Sequence, residues 1–544
     1  MDLDRANSPL LMPHWLTQRA RLSPRRLALA VGNRRWTYWD LAASVDRTAR
    51  SLASLGVGPG DRVALLLRNG YPFVALVHGL TRLGAVLVPL NIRLAADELG
   101  WQITDVGARL LIHDEQHRDL AARVGEGWPE FRRVMVSFDP NQDDLTLAGD
   151  SPSAAPGDSA LADRIDLSAV QSIIYTSGTT GRPKGALITY GNLWWSAVGS
   201  ALNLGHHHDD RWLACLPLFH VGGLSILFRG AIYGIAAIVH ETFEASAVND
   251  AIDESGVTIV SVVSTMLQRM LEARGDRPYP SSLRCVLIGG GPVPPSLLQT
   301  AVARDVPVVQ TYGLTETASQ VATLAPEDAL AKLGSAGKPL LPMELRIERD
   351  GASVPPGEIG EIVVRGPTVS PGYWRGDRRQ ESGDGGRGLG VGGWGTGDPG
   401  QESGRGETGE PGISAENLGG WLRTGDLGYL DDEGFLYVVD RRDDLIVSGG
   451  ENVYPAEVEA VLREHPAVDE VGVIGVPDAE WGQAVAAAVK IRPGAQLTAE
   501  ELVDFCRPRL ARYKIPSQFR FVDALPRNAT GKLLRRTLRE EWRE

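Results

Sequence analysis

Apolar and polar positions follow two different rhythms along this chain, and the change of rhythm divides it. Residues 41–55 carry apolar side chains at helical spacing and stop at Gly56, a residue that commonly ends a helix. Arg62-Val-Ala-Leu-Leu-Leu67 predicts a short buried strand, residues 73–83 predict a helix, and Ala85-Val-Leu-Val-Pro-Leu90 predicts the next strand. The same signals return further on. Helices are predicted over 192–204, 223–233 and 245–254, with strands over 212–216, 236–240, 259–263 and 283–288. Strands alternating with helices of this length predict a mostly parallel sheet covered by helices.

From about residue 343 the pattern shifts to short alternating strands, at 344–348 and 361–365, which predict a β-subdomain. Arg441-Arg-Asp-Asp444 is a compact charged break. Beyond it, strands over 445–447, 468–476 and 484–491 and helices over 456–463 and 499–510 predict a small α+β unit. The expected fold class is therefore α/β. A large N-terminal domain over 1–440 would combine mixed and parallel sheets, flanked by helices, with the β-subdomain. A small mobile α+β domain would occupy 441–544, with a hinge at its entrance.

Residues 376–420 follow neither rhythm. They hold 17 glycines, four arginines and eight acidic residues in 45 positions. That composition offers almost nothing to bury against the entropy of ordering, so a disordered insertion is expected. Within it, Gly393-Trp-Gly-Thr-Gly-Asp398 imitates Gly420-Trp-Leu-Arg-Thr-Gly-Asp426. Only the second copy leads into strand-forming sequence, which makes Asp426 the candidate and Asp398 the decoy.

Apolar residues make up 43% of the chain and charged residues 23%, the balance of a soluble globular protein. The net charge of −13 disfavours nonspecific nucleic-acid binding, which needs a basic footprint. It does not exclude an anionic ligand, because a local cluster can reverse the field inside a cleft. Cys215, Cys285 and Cys506 lack metal-ligand spacing and read as reduced, mostly buried thiols. No basic n-region followed by an apolar h-region opens the chain, and no apolar run approaches ~20 residues. A cytoplasmic protein with no integral membrane segment is expected, and self-association stays open.

The stretch Tyr175-Thr-Ser-Gly-Thr-Thr-Gly-Arg-Pro-Lys-Gly185 is richest in chemistry. An apolar strand runs into hydroxyls, glycines and one lysine, a set of donors suited to a polyphosphate. Lys184 is followed by Gly185 and not by Ser or Thr, so this is not the usual P-loop. Gln310-Thr-Tyr-Gly-Leu-Thr-Glu-Thr317 gathers an aromatic ring, a hydroxyl and a carboxylate. Tyr312 could stack on a base, Thr315 could bond a phosphate, and Glu316 could hold Mg²⁺. Thr424-Gly-Asp-Leu-Gly428 suits a ribose, Arg441 and Asp443 sit at the break, and Lys532 lies on a Gly-flanked turn. Each has a bland reading as packing, turn or solvated surface. His206-His-His208 reads as a solvated loop next to Asp209 and Asp210.

In this order the segments resemble the adenylate-forming superfamily of acyl-CoA synthetases, luciferases and adenylation domains, over nearly the whole chain apart from the insertion. The resemblance implies ATP, Mg²⁺ and coenzyme A as cofactor and co-substrates. It makes Thr176, Ser177, Gly178, Thr179, Thr180, Gly181 and Lys184 the phosphate loop, and Tyr312, Gly313, Thr315 and Glu316 the adenine and Mg²⁺ element. Asp426 becomes the ribose ligand with Arg441 beside it, Asp443 the hinge, and Lys532 the catalytic lysine alongside Lys184.

A narrower resemblance is carried by Leu216-Pro-Leu-Phe-His-Val-Gly-Gly-Leu-Ser225, Gly289-Gly-Gly-Pro-Val-Pro294, and the run from Tyr312 to Gln320 and on to Lys332-Leu-Gly-Ser-Ala-Gly-Lys-Pro339. It points to the o-succinylbenzoate–CoA ligases of menaquinone biosynthesis. It implies that Gly289, Gly290 and Gly291 contact the nucleotide. His220 would stand where adenylate meets acyl pocket, as orienter or gate, with Gln320 in the pocket. The acid of that family carries a second carboxylate, which needs a cation when buried. Arg229, on an otherwise apolar helix, is the candidate, and its alternative is a helix-surface arginine paired with Glu241 or Glu244. Gly449, Gly450 and Lys514 fall where relatives form the CoA channel, although a structural role for the tyrosine and proline of Arg512-Tyr-Lys-Ile-Pro516 is equally open. The expected partners are a small carboxylic acid, ATP and CoA. Two other readings share these motifs: a medium-chain or aryl acyl-CoA synthetase, and a non-catalytic adenylate-binding regulator.

Overall fold

A computed structural model describes residues 10–128, 130–139, 144–149, 161–176, 183–291, 293–375, 420–441, 445–526, 533 and 535–543. Several helices begin where the sequence supplies a reciprocal cap. Thr37 accepts a bond from the Asp40 N–H while Asp40 accepts one from the Thr37 N–H, which starts the helix Tyr38–Ser54. Thr189 with Asn192 starts Tyr190–Leu204, and Thr498 with Glu501 starts Ala499–Cys506. Each cap satisfies backbone donors that the first turn leaves open.

Among the described residues, two large sheets form the body. One has seven strands in the order Lys184–Thr189, Val170–Thr176, Val86–Pro89, Arg62–Leu66, Leu110–His113, Arg132–Asp139, Asp144–Gly149. Its four middle pairings are parallel and both flanking hairpins antiparallel. The other has nine strands, with Val308–Leu314, Cys285–Ile288, Ile259–Val262, Arg211–Ala214 and Ala236–Val239 parallel at its centre. The helices Tyr190–Leu204 and Val221–Tyr233 bring apolar side chains into the largest core cluster, which takes in Leu65 and Leu87 of one sheet and Trp212 and Ala237 of the other. Fully burying such side chains is worth about 1.5–3 kcal/mol each, which makes this region a rigid mount for whatever the strand ends carry.

A five-stranded antiparallel sheet forms the expected β-subdomain, in the order Ala352–Ser353, Glu344–Arg349, Gly360–Arg365, Leu422–Leu430, Leu436–Arg441. Residues 446–510 then build a core of their own from Ile446, Val458, Leu462, Val473, Val485, Val489 and Leu502. Ala511, just beyond that core, is instead buried with Ile173, Val86 and Leu99 of the first sheet and its helices. The small unit is thus docked onto the large one.

The predicted elements recur close to their expected bounds, but the strands Leu110–His113, Arg132–Asp139 and Val308–Leu314 and the helices Ala96–Val106, Ser264–Arg274 and Pro295–Ala303 were not among them. Two further differences stand out. The helix expected over 499–510 ends at Cys506, because residues 507–510 turn away before the short 3₁₀ turn Arg512–Lys514. Leu27–Val31 joins the nine-stranded sheet beside Ala236–Val239, a pairing across more than two hundred residues that no local pattern announces. All three cysteines are buried free thiols. Among the described residues no helix is long and apolar enough to cross a membrane. The insertion 376–419, with Asp398, lies outside the described residues.

Candidate active site

The expected phosphate loop starts at the end of a central strand. Thr176 closes Val170–Thr176, and Lys184 opens the antiparallel neighbour directly opposite it. Ser177, Gly178, Thr179, Thr180 and Gly181 lie outside the described residues. On the open side of this hairpin, Gly372–Trp374 adds itself as a short third rail. The Leu187 N–H donates to Gly372 O at 3.0 Å, the Trp374 N–H donates to Gly185 O at 2.7 Å, and Ala186 pairs with Tyr373.

Glu316 arrives from the other large sheet. It sits in the 3₁₀ turn Thr315–Thr317, immediately after Val308–Leu314. Thr176 donates its hydroxyl to Glu316 Oε1 at 3.3 Å, and Tyr373 donates its own to the same oxygen at 2.7 Å. Two sheets therefore meet on one carboxylate, 8% exposed and bonded by neutral hydroxyls. No lysine or arginine pairs with it among the described residues, so it keeps its charge for a hard cation. No cluster of three His, Cys, Asp or Glu occurs there or elsewhere among them. A magnesium ion, which takes one or two carboxylates and completes its shell with water and phosphate oxygens, needs none.

Nearby, Tyr312 donates its hydroxyl to Asp426 Oδ2 at 2.7 Å, so two expected nucleotide residues 114 positions apart are in direct contact. Asp426 is held in place by its own N–H, which donates to Thr424 Oγ1. Arg441 is its register partner on the adjoining strand. Gly313 explains itself: a Cβ there would stand 1.6 Å from the Ser319 carbonyl oxygen, because the next strand folds back tightly over it. Gly289, Gly290 and Gly291 follow Cys285–Ile288 at the same end of the sheet.

His220 stands at the start of Val221–Tyr233. The preceding segment is fixed by Asn69, which donates to Leu216 O and His240 O and accepts from the Leu218 N–H. Nε2 of His220 lies 3.1 Å from Oε2 of Glu451, a residue of the small unit. Glu451 Oε1 is 2.8 Å from Arg93, and Asn91 donates to Oε2. Burial alone would push this carboxyl up, but His220, Arg93 and Lys514 outweigh it and hold the group below its ordinary range. No motif announces Glu451: it lies in a three-residue strand with no chemical signature, and only the docking of the two units reveals it.

Gly449 and Gly450 form a left-handed turn at this seam. The Gly449 N–H donates to Trp481 O, and a Cβ on Gly449 would meet the Trp481 ring at 2.7 Å. Val263 of the large unit approaches the Cβ position of Gly450, and Val447 that of Gly291. The glycine turn therefore lies at the contact between the two units. Lys514 differs from its expected role. It is 2% exposed, with its ammonium 2.6 Å from Glu98 Oε1 and 2.8 Å from Glu457 Oε1. Burial opposes its charge, yet Glu457 and Glu98 keep the ammonium above its ordinary value. A lysine clamped between two buried carboxylates is a structural tie across the seam and not a group lining a channel.

Arg229 is likewise buried, at 2% exposure. Glu241 faces Arg68 and Glu244 accepts from Ser246, so the surface-pair alternative is overturned. Arg229 instead donates to Ser196 Oγ at 3.2 Å, and its guanidinium carbon is 5.3 Å from the Trp212 ring centroid. Nε has no partner, and burial lowers its pKa. Ser196 passes the contact on by donating to Ala318 O, two residues from Glu316. Gln320, on the strand after that turn, is 2% exposed with both amide atoms unbonded. His206, His207 and His208 are exposed. Asp443 and Lys532 lie outside the described residues.

Residues 16–374 match the family model described as AMP-binding enzyme, and 457–532 match the AMP-binding enzyme C-terminal domain. The 2-succinylbenzoate–CoA ligase of Geobacillus kaustophilus (strain HTA426) is 48% identical over 530 residues, spanning 97% of each chain. Two solved structures of o-succinylbenzoate CoA synthetase from Bacillus subtilis are also similar. A double mutant bound to the product analogue OSB-NCoA overlaps with a TM-score of 0.83 at 42% identity, over 97% of this chain and 99% of that one. The complex with ATP and magnesium overlaps at 0.67 and 41% identity, over 98% and 100%.

Proposed function

We infer that this chain, which belongs to the AMP-binding enzyme family, is an ATP-dependent 2-succinylbenzoate–CoA ligase of the AMP-forming type. The observation that carries this reading is the meeting of Thr176, Tyr373 and Glu316 on one side and Tyr312 with Asp426 on the other, with His220 at the adjoining helix start. ATP and CoA as substrates support a cytoplasmic location.

The reaction divides into two displacements. A substrate carboxylate oxygen attacks the α-phosphorus of ATP, the bond to the bridging oxygen breaks, and pyrophosphate leaves with an acyl-adenylate formed. Charge grows on the phosphoryl oxygens, so fixed cations and donors do most of the work. Lys184, the Thr176 hydroxyl and Lys532 are assigned to that charge, and Asp426 to the ribose hydroxyls. Glu316 would hold Mg²⁺, which when bound neutralises triphosphate oxygens. The CoA sulfur then attacks the acyl carbon, losing its proton to solvent, and AMP departs with the electron pair of the broken acyl–phosphate bond.

The two steps need different surroundings at the same carbonyl. We assign them to two arrangements of the domains 1–440 and 441–544 about Asp443, the first presenting Lys532 and the second the Gly449–Gly450 turn. The docked arrangement described above supports the second state. It overlaps better with the CoA-analogue complex than with the ATP–magnesium complex although sequence identity is the same to within a percent. In the acyl pocket, Arg229 is assigned to the ring carboxylate, as a buried cation that faces hydroxyls and a ring but no carboxylate among the described residues.

The test is a panel of carboxylic acids, including 2-succinylbenzoate, benzoate and a medium-chain fatty acid, scored for CoA-dependent AMP formation. A strong preference for 2-succinylbenzoate is expected. Equal turnover of benzoate would move the chain to the aryl acyl-CoA synthetases.

A further inference from the structure

Tyr373 belongs to none of the motifs that define the nucleotide site, yet it meets two of that site's charged groups, Glu316 and Lys184. Its hydroxyl donates to Glu316 Oε1 at 2.7 Å. Its ring lies under the Lys184 ammonium, 5.6 Å from Nζ to the centroid. Its backbone is paired with Ala186, and its neighbours Gly372 and Trp374 bond to Leu187 and Gly185, so the side chain has little freedom. Trp374 adds an anchor by donating its indole N–H to Asp105 O at 2.7 Å.

We propose that Tyr373 is a positioning residue that keeps the opposite charges of Lys184 and Glu316 apart while aiming the carboxylate. Resting on the ligase reading above, the inference deepens it. A lysine and a glutamate flanking one small space would pair directly if nothing stood between them, and a paired carboxylate is a poor ligand while a paired ammonium is a poor phosphate donor. The aromatic ring takes up the ammonium on its face, where the negative quadrupole attracts a cation without neutralising it. The phenol binds the carboxylate with a neutral donor, which fixes its orientation and leaves its charge intact. Both hydroxyl contacts fall on Oε1, from Tyr373 and Thr176. Oε2 has no bond among the described residues and would be the oxygen left to hold a cation. Outer-shell partners of this kind commonly change metal affinity by ten- to a hundredfold.

Two variants of the full chain separate the halves of the idea. Tyr373→Phe keeps the ring and loses the aim. The Mg²⁺ concentration for half-maximal pyrophosphate release should rise about tenfold, with the KM for ATP at saturating Mg²⁺ little changed. Tyr373→Leu also removes the spacer and should raise that KM about tenfold as well. Melting temperatures supply a readout that needs no turnover: stabilisation by ATP with Mg²⁺, compared with ATP and EDTA, should shrink in Tyr373→Phe. Thioester formation from preformed acyl-adenylate should stay near wild type in both. Wild-type Mg²⁺ dependence and stabilisation in Tyr373→Phe would overturn the aiming role, and a Tyr373→Leu protein no worse than Tyr373→Phe would overturn the spacer. Loss of thioester formation in parallel with adenylation would reduce Tyr373 to a scaffold residue. Should wild type adenylate no acid at all, the ligase reading fails while the melting shifts with ATP and Mg²⁺ still test the aiming role.

Discussion

The nucleotide side and the seam between the two units both gather acidic groups, but they restrain them in opposite ways. On the nucleotide side, the Glu316 carboxylate is bonded by the hydroxyls of Thr176 and Tyr373. At the seam, Glu451 meets Arg93 and His220, and Glu98 and Glu457 meet Lys514. Neutral donors orient a carboxylate and leave its charge available for a ligand. Ionic partners consume the charge, but they suit a contact that must form and separate. The Coulomb attraction of a buried pair is largely offset by desolvation, so docking is specific without being strongly adhesive. The nucleotide side and the seam thus surround the same kind of side chain with different chemistry.

The comparison breaks most sharply at Lys532. If the small unit delivers this lysine only for adenylation, Lys532→Ala should lower pyrophosphate release several hundred-fold or more, about 3–4 kcal/mol for a lost charge-stabilising donor. Thioester formation from preformed acyl-adenylate should be far less affected. Equal losses would remove the division of labour.

A second test concerns Arg229, the buried cation that borders the nucleotide turn through Ser196 and Ala318. Arg229→Ala should depress kcat/KM for 2-succinylbenzoate by hundreds-fold, on the scale of the about 3–5 kcal/mol lost when a buried pair is broken. The KM for ATP should hold, and an acid lacking the ring carboxylate should lose much less. Measuring both acids on both proteins yields the coupling directly. Equal losses for the two acids would make Arg229 a scaffold residue.

The seam responds to smaller changes. Glu451→Gln should slow thioester formation about tenfold, the scale of a hydrogen bond to a charged group, and leave adenylation unchanged. A pH series sharpens this. The folded protein holds the Glu451 carboxyl below its ordinary value of 4.5, so its contribution is present above that value and lost as pH falls through the lower, folded one. The melting-temperature gap between wild type and Glu451→Gln should therefore be steady at neutral pH and close on acidification. A gap that widened with acid would reverse the assignment.

The smallest effect is expected from removing residues 377–416, which lie outside the described residues. Gly372–Trp374 is tied to the hairpin and to Asp105 before that segment begins. Long loops cost little beyond closure entropy. Melting temperature and turnover should change little on deletion, and a variant that loses CoA turnover would show that the segment takes part.

Periodicity located the strands Arg62–Leu66, Val86–Pro89, Arg211–Ala214, Ala236–Val239, Ile259–Val262 and Cys285–Ile288 and several helices between them, because the spacing of apolar residues is a local property that burial on one face imposes. It left Leu110–His113, Arg132–Asp139 and Val308–Leu314 unannounced. The motifs that hold Thr176, Lys184, Tyr312, Glu316 and Asp426 were equally legible as motifs, and the structure brings Thr176 to Glu316 and Tyr312 to Asp426. Tyr373 belongs to no motif that the sequence announces. Glu451 gave no signal, and Lys514 stood in a readable motif whose role came out differently.

What the sequence determined by itself is therefore the set of elements, the order of the motifs and the chemistry each can offer. The tertiary structure alone decided which of those groups meet. Glu316 finds Thr176 across 140 positions, His220 finds Glu451 across 231, and Lys514 finds Glu98 across 416. Such contacts depend on how sheets stack and how one unit docks on another. A side chain carries no local mark of a partner that only the packing of distant elements supplies. Arg229 is the plainest case: its flanking residues allow either a surface or a core position, and the stacking of its helix against Trp212 and Ser196 places it in the core.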